Sequence, residues 1–121
     1  MRAVKDLGGT MLYALSGSKT HETAKRAGIR VAGEVFADRG YADDGTLAPR
    51  ELPGGLIEDP AQAVKQALAM IEQGLVISLS GKRVSVAADT LCIHGDQPGA
   101  VAFAKALRAS FKERGIEVAA P

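Results

Sequence analysis

The chain has 121 residues, 46% of them hydrophobic, enough for one buried core and too few for two independent ones. Lys plus Arg number 15 against 14 Asp plus Glu, a net charge of +1 that excludes the dense basic face required by nucleic-acid binding. The single cysteine, Cys92, excludes an internal disulfide, and no leader-like or long apolar segment opens the sequence, so a reduced, cytoplasmic protein is expected.

Gly9 to Leu15, GTMLYAL, is a short apolar run between glycines and predicts a buried strand. Ser18 stands where it caps a helix running to Ala27, with Gly28 as its left-handed stop. Ile29 to Ala37 predicts a second strand. The stretch from Asp38 to Leu56 is broken by Gly40, Asp44-Gly45 and Pro53-Gly54-Gly55; it predicts a long loop of the kind that serves binding or acts as a lid.

Asp59-Pro60 then opens a helix with the apolar stripe Val64, Ala67, Leu68 and Ile71, ended by Gly74. Leu75 to Val86 predicts a hairpin around Ser80-Gly81-Lys82, and Ala88 to His94 a further strand. A last helix begins near Gln97-Pro98, places Ala100, Ala104, Leu107 and Phe111 on one face, and stops at Gly115. Ile116 to Ala119 predicts a closing strand. With no repeat and no linker, residues 1–121 read as one domain, and the alternation of strands and helices predicts an α/β fold with largely parallel strands.

Two of the strands end in polar residues: TLCIHGDQPGA, from Thr90, and GEVFADRGYADDG, from Gly33. Carboxyl ends of parallel strands are where following loops and helix N-termini converge on ligands. The period of two puts Glu34, Phe36 and Asp38 on one face and Cys92 with His94 on another; if the faces meet, Glu34, Asp38 and His94 share a pocket.

Each candidate also has a purely structural reading. His94 reads equally as a histidine bonded to backbone, Asp96 as the cap of the last helix, and Cys92 as a small core residue. Glu34, an acid inside an apolar strand, needs either Arg39 as its partner or a role as general acid/base. Arg39 and Arg50 flank the long loop and suit either a substrate carboxylate or phosphate, or a salt bridge that pins the loop. His21 is expected on a helix surface without a role. No HxxH or CxxC spacing marks a metal site, and the HGDQPGA turn offers a weak phosphate-binding alternative without a P-loop lysine.

EVFADRGY (Glu34 to Tyr41), Asp44-Gly45, Pro49-Arg50, Pro53 to Gly55 and CIHGD (Cys92 to Asp96) together resemble the LamB/YcsF family, the A subunits of ATP-dependent 5-oxoprolinase. The resemblance implies a cytoplasmic TIM-like (β/α) barrel, partner subunits B and C, ATP as co-substrate, and opening of the 5-oxoproline lactam to L-glutamate. Glu34, Asp38, His94 and Asp96 become candidate catalytic residues, and Arg39 and Arg50 candidate substrate-binding residues.

The family's N-terminal motifs, of DLNxDxGE, HPxxPD and KPHGxLY type, are absent from this sequence. The expected fold is therefore the C-terminal part of an incomplete barrel, inactive alone and prone to associate through open strand edges. The alternative expectation is a non-catalytic remnant or interaction fragment.

Overall fold

The computed structural model describes residues 1–120. Apart from a short N-terminal helix α1 (Arg2–Asp6), for which the sequence carries no signal, the structure is built around three parallel strands in the order β1-β2-β5. These are β1 (Leu12–Leu15), β2 (Val31–Phe36) and β5 (Thr90–Cys92). The central strand aligns Glu34 with Leu15 on one side and Thr90 on the other, and Phe36 with Cys92. A separate antiparallel ribbon, β3 (Leu75–Ile77) and β4 (Arg83–Ser85), is the expected hairpin around Gly81.

Helix α2 (Lys19–Arg26) starts as its sequence dictates, with the Ser18 hydroxyl accepting from the His21 N–H at 3.1 Å. Helix α3 (Pro60–Leu68) starts at Asp59, whose carboxylate accepts from the Ala61 N–H at 3.2 Å, and widens into a π-helical turn over Ala69–Gln73 before Gly74. Helix α4 (Ala100–Glu113) buries Phe103, Leu107 and Phe111. These three pack with Ala37, Ile57, Ala63 and Ala67 into one core; Val35, Tyr41, Met70 and Val76 form a second core beneath the ribbon. Burial of such side chains stabilises by about 1.5–3 kcal/mol each.

Several expectations are corrected. β2 and β5 are shorter at both ends than their apolar runs and β1 is shorter at its N-terminal end, because the pairing register ends where the turns begin. Helix α4 starts at Ala100 rather than near Gln97: Gly99 lies at φ 82°, a left-handed conformation that no right-handed helix contains, and Gln97-Pro98 forms a turn closed by the Ala100 N–H on the Gln97 carbonyl at 3.2 Å. Asp96 is therefore no helix cap.

Ile116 to Ala119 forms no strand. The chain folds back on α4, with the Ile116 N–H donating to the Phe111 carbonyl at 2.8 Å and its side chain closing the first core. His21 is buried at 2% exposure, not displayed on a helix surface. The class is α/β, as expected; the three parallel strands form an open sheet. Among the described residues no helix is long and apolar enough to cross a membrane.

Candidate functional site

The chain leaves β2 at Phe36 and enters a turn, yet Asp38 still meets the His94 ring on which Phe36 stacks, as the period of two expects. The Asp38 side chain is buried at 3% exposure and meets the end of the β5 segment. There the Asp38 Oδ2 accepts from the His94 backbone N–H at 2.7 Å, and the His94 Nδ1 lies 3.0 Å from both carboxylate oxygens. The Gln97 side-chain amide adds a longer contact to Oδ2 at 3.4 Å. An ionised carboxylate is acceptor-only, and every group aimed at this one is a donor when His94 carries its proton on Nδ1. That tautomer leaves Nε2 as the free acceptor on a ring that is 23% exposed.

The imidazole is held flat as well as by its edge. The Phe36 ring stacks on it, centroids 5.6 Å apart and planes 15° from parallel, within the range favoured by aromatic pairs. Phe36 in turn is fixed by its own N–H, which donates to the Tyr41 hydroxyl at 2.9 Å. Burial pushes that phenol up to about 12, aided by the charges of Glu34 and Asp38 and opposed by the Phe36 N–H and Arg39. Burial, then the same two carboxylates, also raises the Cys92 thiol, which keeps it protonated and suits it to the role of a small core residue.

The other sequence-derived candidates divide. Glu34 is half-buried in β2 and acts on Cys92 and Tyr41 through its charge, but among the described residues it forms no salt bridge with Arg39 and no side-chain hydrogen bond to Asp38 or His94. Arg39 turns inward at 8% exposure, donating from Nε to the Gly55 carbonyl at 3.2 Å and from Nη2 to the Ala48 carbonyl at 2.7 Å. It pins the long loop from within. Arg50, on the outer side of that loop, is 43% exposed and stands 4.0 Å from the exposed Asp96. The loop and the turn after β5 therefore approach one another beside His94.

Sequence reasoning missed three contributors. Gln66 sits on α3 next to the apolar stripe and donates to the carbonyls of Phe36 and Arg39 at 3.0 and 2.9 Å. Tyr41 and Gln97 reach the site only because the turns fold back. None carries a local signal, since a lone Gln or Tyr in a helix or loop reads as ordinary surface or core. Among the described residues no group of three or more His, Cys, Asp or Glu is arranged to hold a metal. A groove of about 450 Å³ lies between the long loop, α3 and β3, lined by Gly40, Gly54, Ile57, Gln66 and Leu79, and does not include the His94–Asp38 pair.

Comparison with known proteins places this chain in a family. The family model described as "LamB/YcsF family" matches residues 1–121. The chain is 54% identical over 110 residues to a protein of Heliobacterium modesticaldum named as the A subunit of 5-oxoprolinase, covering 91% of this chain and 43% of that protein. It is 46% identical over 117 residues to the 5-oxoprolinase A subunit 2 of Bordetella bronchiseptica, covering 97% and 47% respectively. The crystal structure of a lactam utilization protein from Thermus thermophilus superposes with a TM-score of 0.90 at 44% identity, covering 99% of this chain and 48% of that one. The chain thus spans about half the length of the relatives it matches, and the motifs around Glu34 to Tyr41 and Cys92 to Asp96 lie within the matched span. On a match that extends over its whole length, the chain belongs to the LamB/YcsF family.

Proposed function

We propose that this chain supplies part of the A subunit of a 5-oxoprolinase that opens the lactam of 5-oxoproline to L-glutamate. The observation that carries the reading is the His94–Asp38 pair: a buried carboxylate holds Nδ1 and the backbone N–H of one histidine, leaving Nε2 free beside a loop that bears an exposed arginine. Such a histidine is a general base oriented by a second group.

In the proposed reaction Nε2 takes a proton from water as its oxygen bonds to the lactam carbonyl carbon. The ring C–N bond then breaks, and the same proton passes from Nε2 to the departing nitrogen, giving the amino group of glutamate. Asp38 stabilises the imidazolium formed in between. Arg50 is the candidate for the substrate carboxylate, since Arg39 is committed to backbone carbonyls and its role is to hold the loop that carries Arg50. Asp96, beside Arg50, and Glu34, on the same strand as Phe36, remain the further proton-handling candidates.

ATP as co-substrate and subunits B and C as partners belong to the same proposal, supported by relatives named as an A subunit. The turn from His94 to Gly99 does not fit a nucleotide phosphate, because it holds Asp96 and no Lys or Arg. The three parallel strands are read as an arc of a TIM-like barrel, on the resemblance to the family; the superposition supports only that this chain matches about half of a longer relative. The second reading, a non-catalytic interaction fragment, is favoured by one observation, that among the described residues both β1 and β5 have a partner on one side only.

The test is ATP-dependent glutamate formation from 5-oxoproline by the chain supplied with subunits B and C and with the N-terminal portion that its relatives possess. Glutamate is expected with all parts present and none from the chain alone. His94→Ala is expected to abolish it while leaving the circular dichroism spectrum unchanged. An active H94A variant removes His94 from the mechanism, and no glutamate from the assembled parts favours the non-catalytic reading.

A further inference from the structure

We infer that Gln66 is a positioning residue for the His94–Asp38 pair, acting through the turn at the end of β2 without touching either member. The inference rests on the reading of that pair as the working groups.

Asp38 meets His94 from a turn that begins immediately after Phe36. The turn brings the carbonyls of Phe36, Ala37 and Arg39 together around one donor, the Gln66 side-chain amide. Gln66 Nε2 lies 3.0 Å from the Phe36 oxygen, 2.9 Å from the Arg39 oxygen and 3.5 Å from the Ala37 oxygen. A primary amide nitrogen has two hydrogens, and the two short contacts use both. Because only acceptors face it, chemistry settles which end of the amide points inward. The two strongly held carbonyls bracket Asp38 in sequence, so one side chain clamps both flanks of the residue that orients His94.

The clamp stands on rigid ground. Gln66 is flanked on α3 by Ala63 and Ala67, both fully buried in the first core, so its position is set by helix packing rather than by the loop. Phe36 is consequently held by three groups: Tyr41 on its N–H, Gln66 on its C=O, and the His94 ring stacked on its own. A shift of the Phe36 carbonyl moves the surface on which the imidazole lies and, two residues on, the carboxylate that fixes its tautomer. Misplacement by about 1 Å at such a point is enough to lower a rate about a hundredfold.

The experiment is nitrogen NMR of the labelled chain at mildly alkaline pH, unsubstituted and as Gln66→Met, which keeps length and removes the donor, and Gln66→Glu, which replaces the donor with an acceptor. In the unsubstituted chain the His94 ring should show one protonated and one unprotonated nitrogen, with the proton on Nδ1, and the Gln66 side-chain amide protons should exchange slowly with solvent. In Q66M and Q66E the two ring resonances should move toward one another as tautomers mix, and the His94 amide proton should shift upfield, while the Ala14 and Leu107 amides stay in place.

A folded Q66M or Q66E chain that keeps the single tautomer overturns the inference and leaves the proposed function standing. A proton on Nε2 in the unsubstituted chain overturns both, by removing the pair on which they rest. Should neither variant fold, fast exchange of the Gln66 amide protons in the unsubstituted chain overturns the inference, and slow exchange of both protons supports it.

Discussion

Asp38 carries a carboxylate on a side chain that is 3% exposed, and such a group is tolerated only where donors replace the water it gave up. Its donors come from residues more than fifty positions away, which ties the two strand ends to one another. Two other ionisable side chains make the stability depend on pH in opposite directions. Tyr41 is raised from its ordinary value of 10.0 to about 12, so its contribution is complete below pH 10.0 and is lost as pH rises toward 12. Chemical denaturation midpoints should therefore fall across that alkaline window. Tyr41→Phe should reduce this dependence, leaving the part due to the raised Cys92 thiol, yet lower stability at neutral pH by about 1–3 kcal/mol by leaving the Phe36 N–H without its acceptor. Asp43 behaves conversely: hydrogen bonds from the Ser78 and Ser80 hydroxyls hold its carboxyl below 3.8, so its contribution is complete above that value and fades as pH falls further. Asp43→Ala should flatten the acid limb of the same stability profile.

The Asp38 to Leu56 loop is ordered by its contents rather than by a sheet. Arg39 bonds two of its carbonyls, Asp43 ties it to the β3–β4 hairpin, and isolated bridges join Arg39 to Leu56 and Tyr41 to Leu47. Arg39→Met should leave the Ala48 carbonyl buried without its donor and the Gly55 carbonyl with the Gly40 N–H alone. The expected result is a loss of about 1–3 kcal/mol together with faster proteolytic cutting between residues 42 and 54. Gly40 allows a close pass of the loop over itself, since a side chain there would collide with the Gly54 carbonyl. Gly40→Ala should consequently unfold the loop or the chain, measured as loss of the melting transition, whereas Gly95→Ala, with nothing within 4 Å, should not. Element positions were legible where two local signals agree, a cap with a glycine stop at Ser18 and a cap with an apolar stripe at Asp59-Pro60. They were not legible at Gly99, whose left-handed backbone delays α4, nor at Ile116 to Ala119, where β-prone residues fold back on a helix instead of pairing.

At the scale of the whole molecule, among the described residues β1 and β5 each pair on one side only, and Tyr13 in β1 remains 47% exposed. Unpaired strand edges beside exposed apolar surface recruit further strands. The isolated chain should therefore associate as its concentration rises, giving a mass above 12.5 kDa by light scattering, and Tyr13→Lys should shift the equilibrium toward monomer. Composition and periodicity determined the α/β class, the starts of α2 and α3, the hairpin and the two strand ends that carry polar residues, because each is encoded within a few neighbouring positions. Only the tertiary structure decided what those residues do. It joined Asp38 to His94, turned Arg39 inward to brace a loop, left Arg50 outside beside Asp96, buried His21, and brought Gln66 under the turn that carries Asp38. Those outcomes depend on where distant backbone carbonyls and N–H groups come to lie, and that is set by how the segments pack, which no local stretch of sequence specifies.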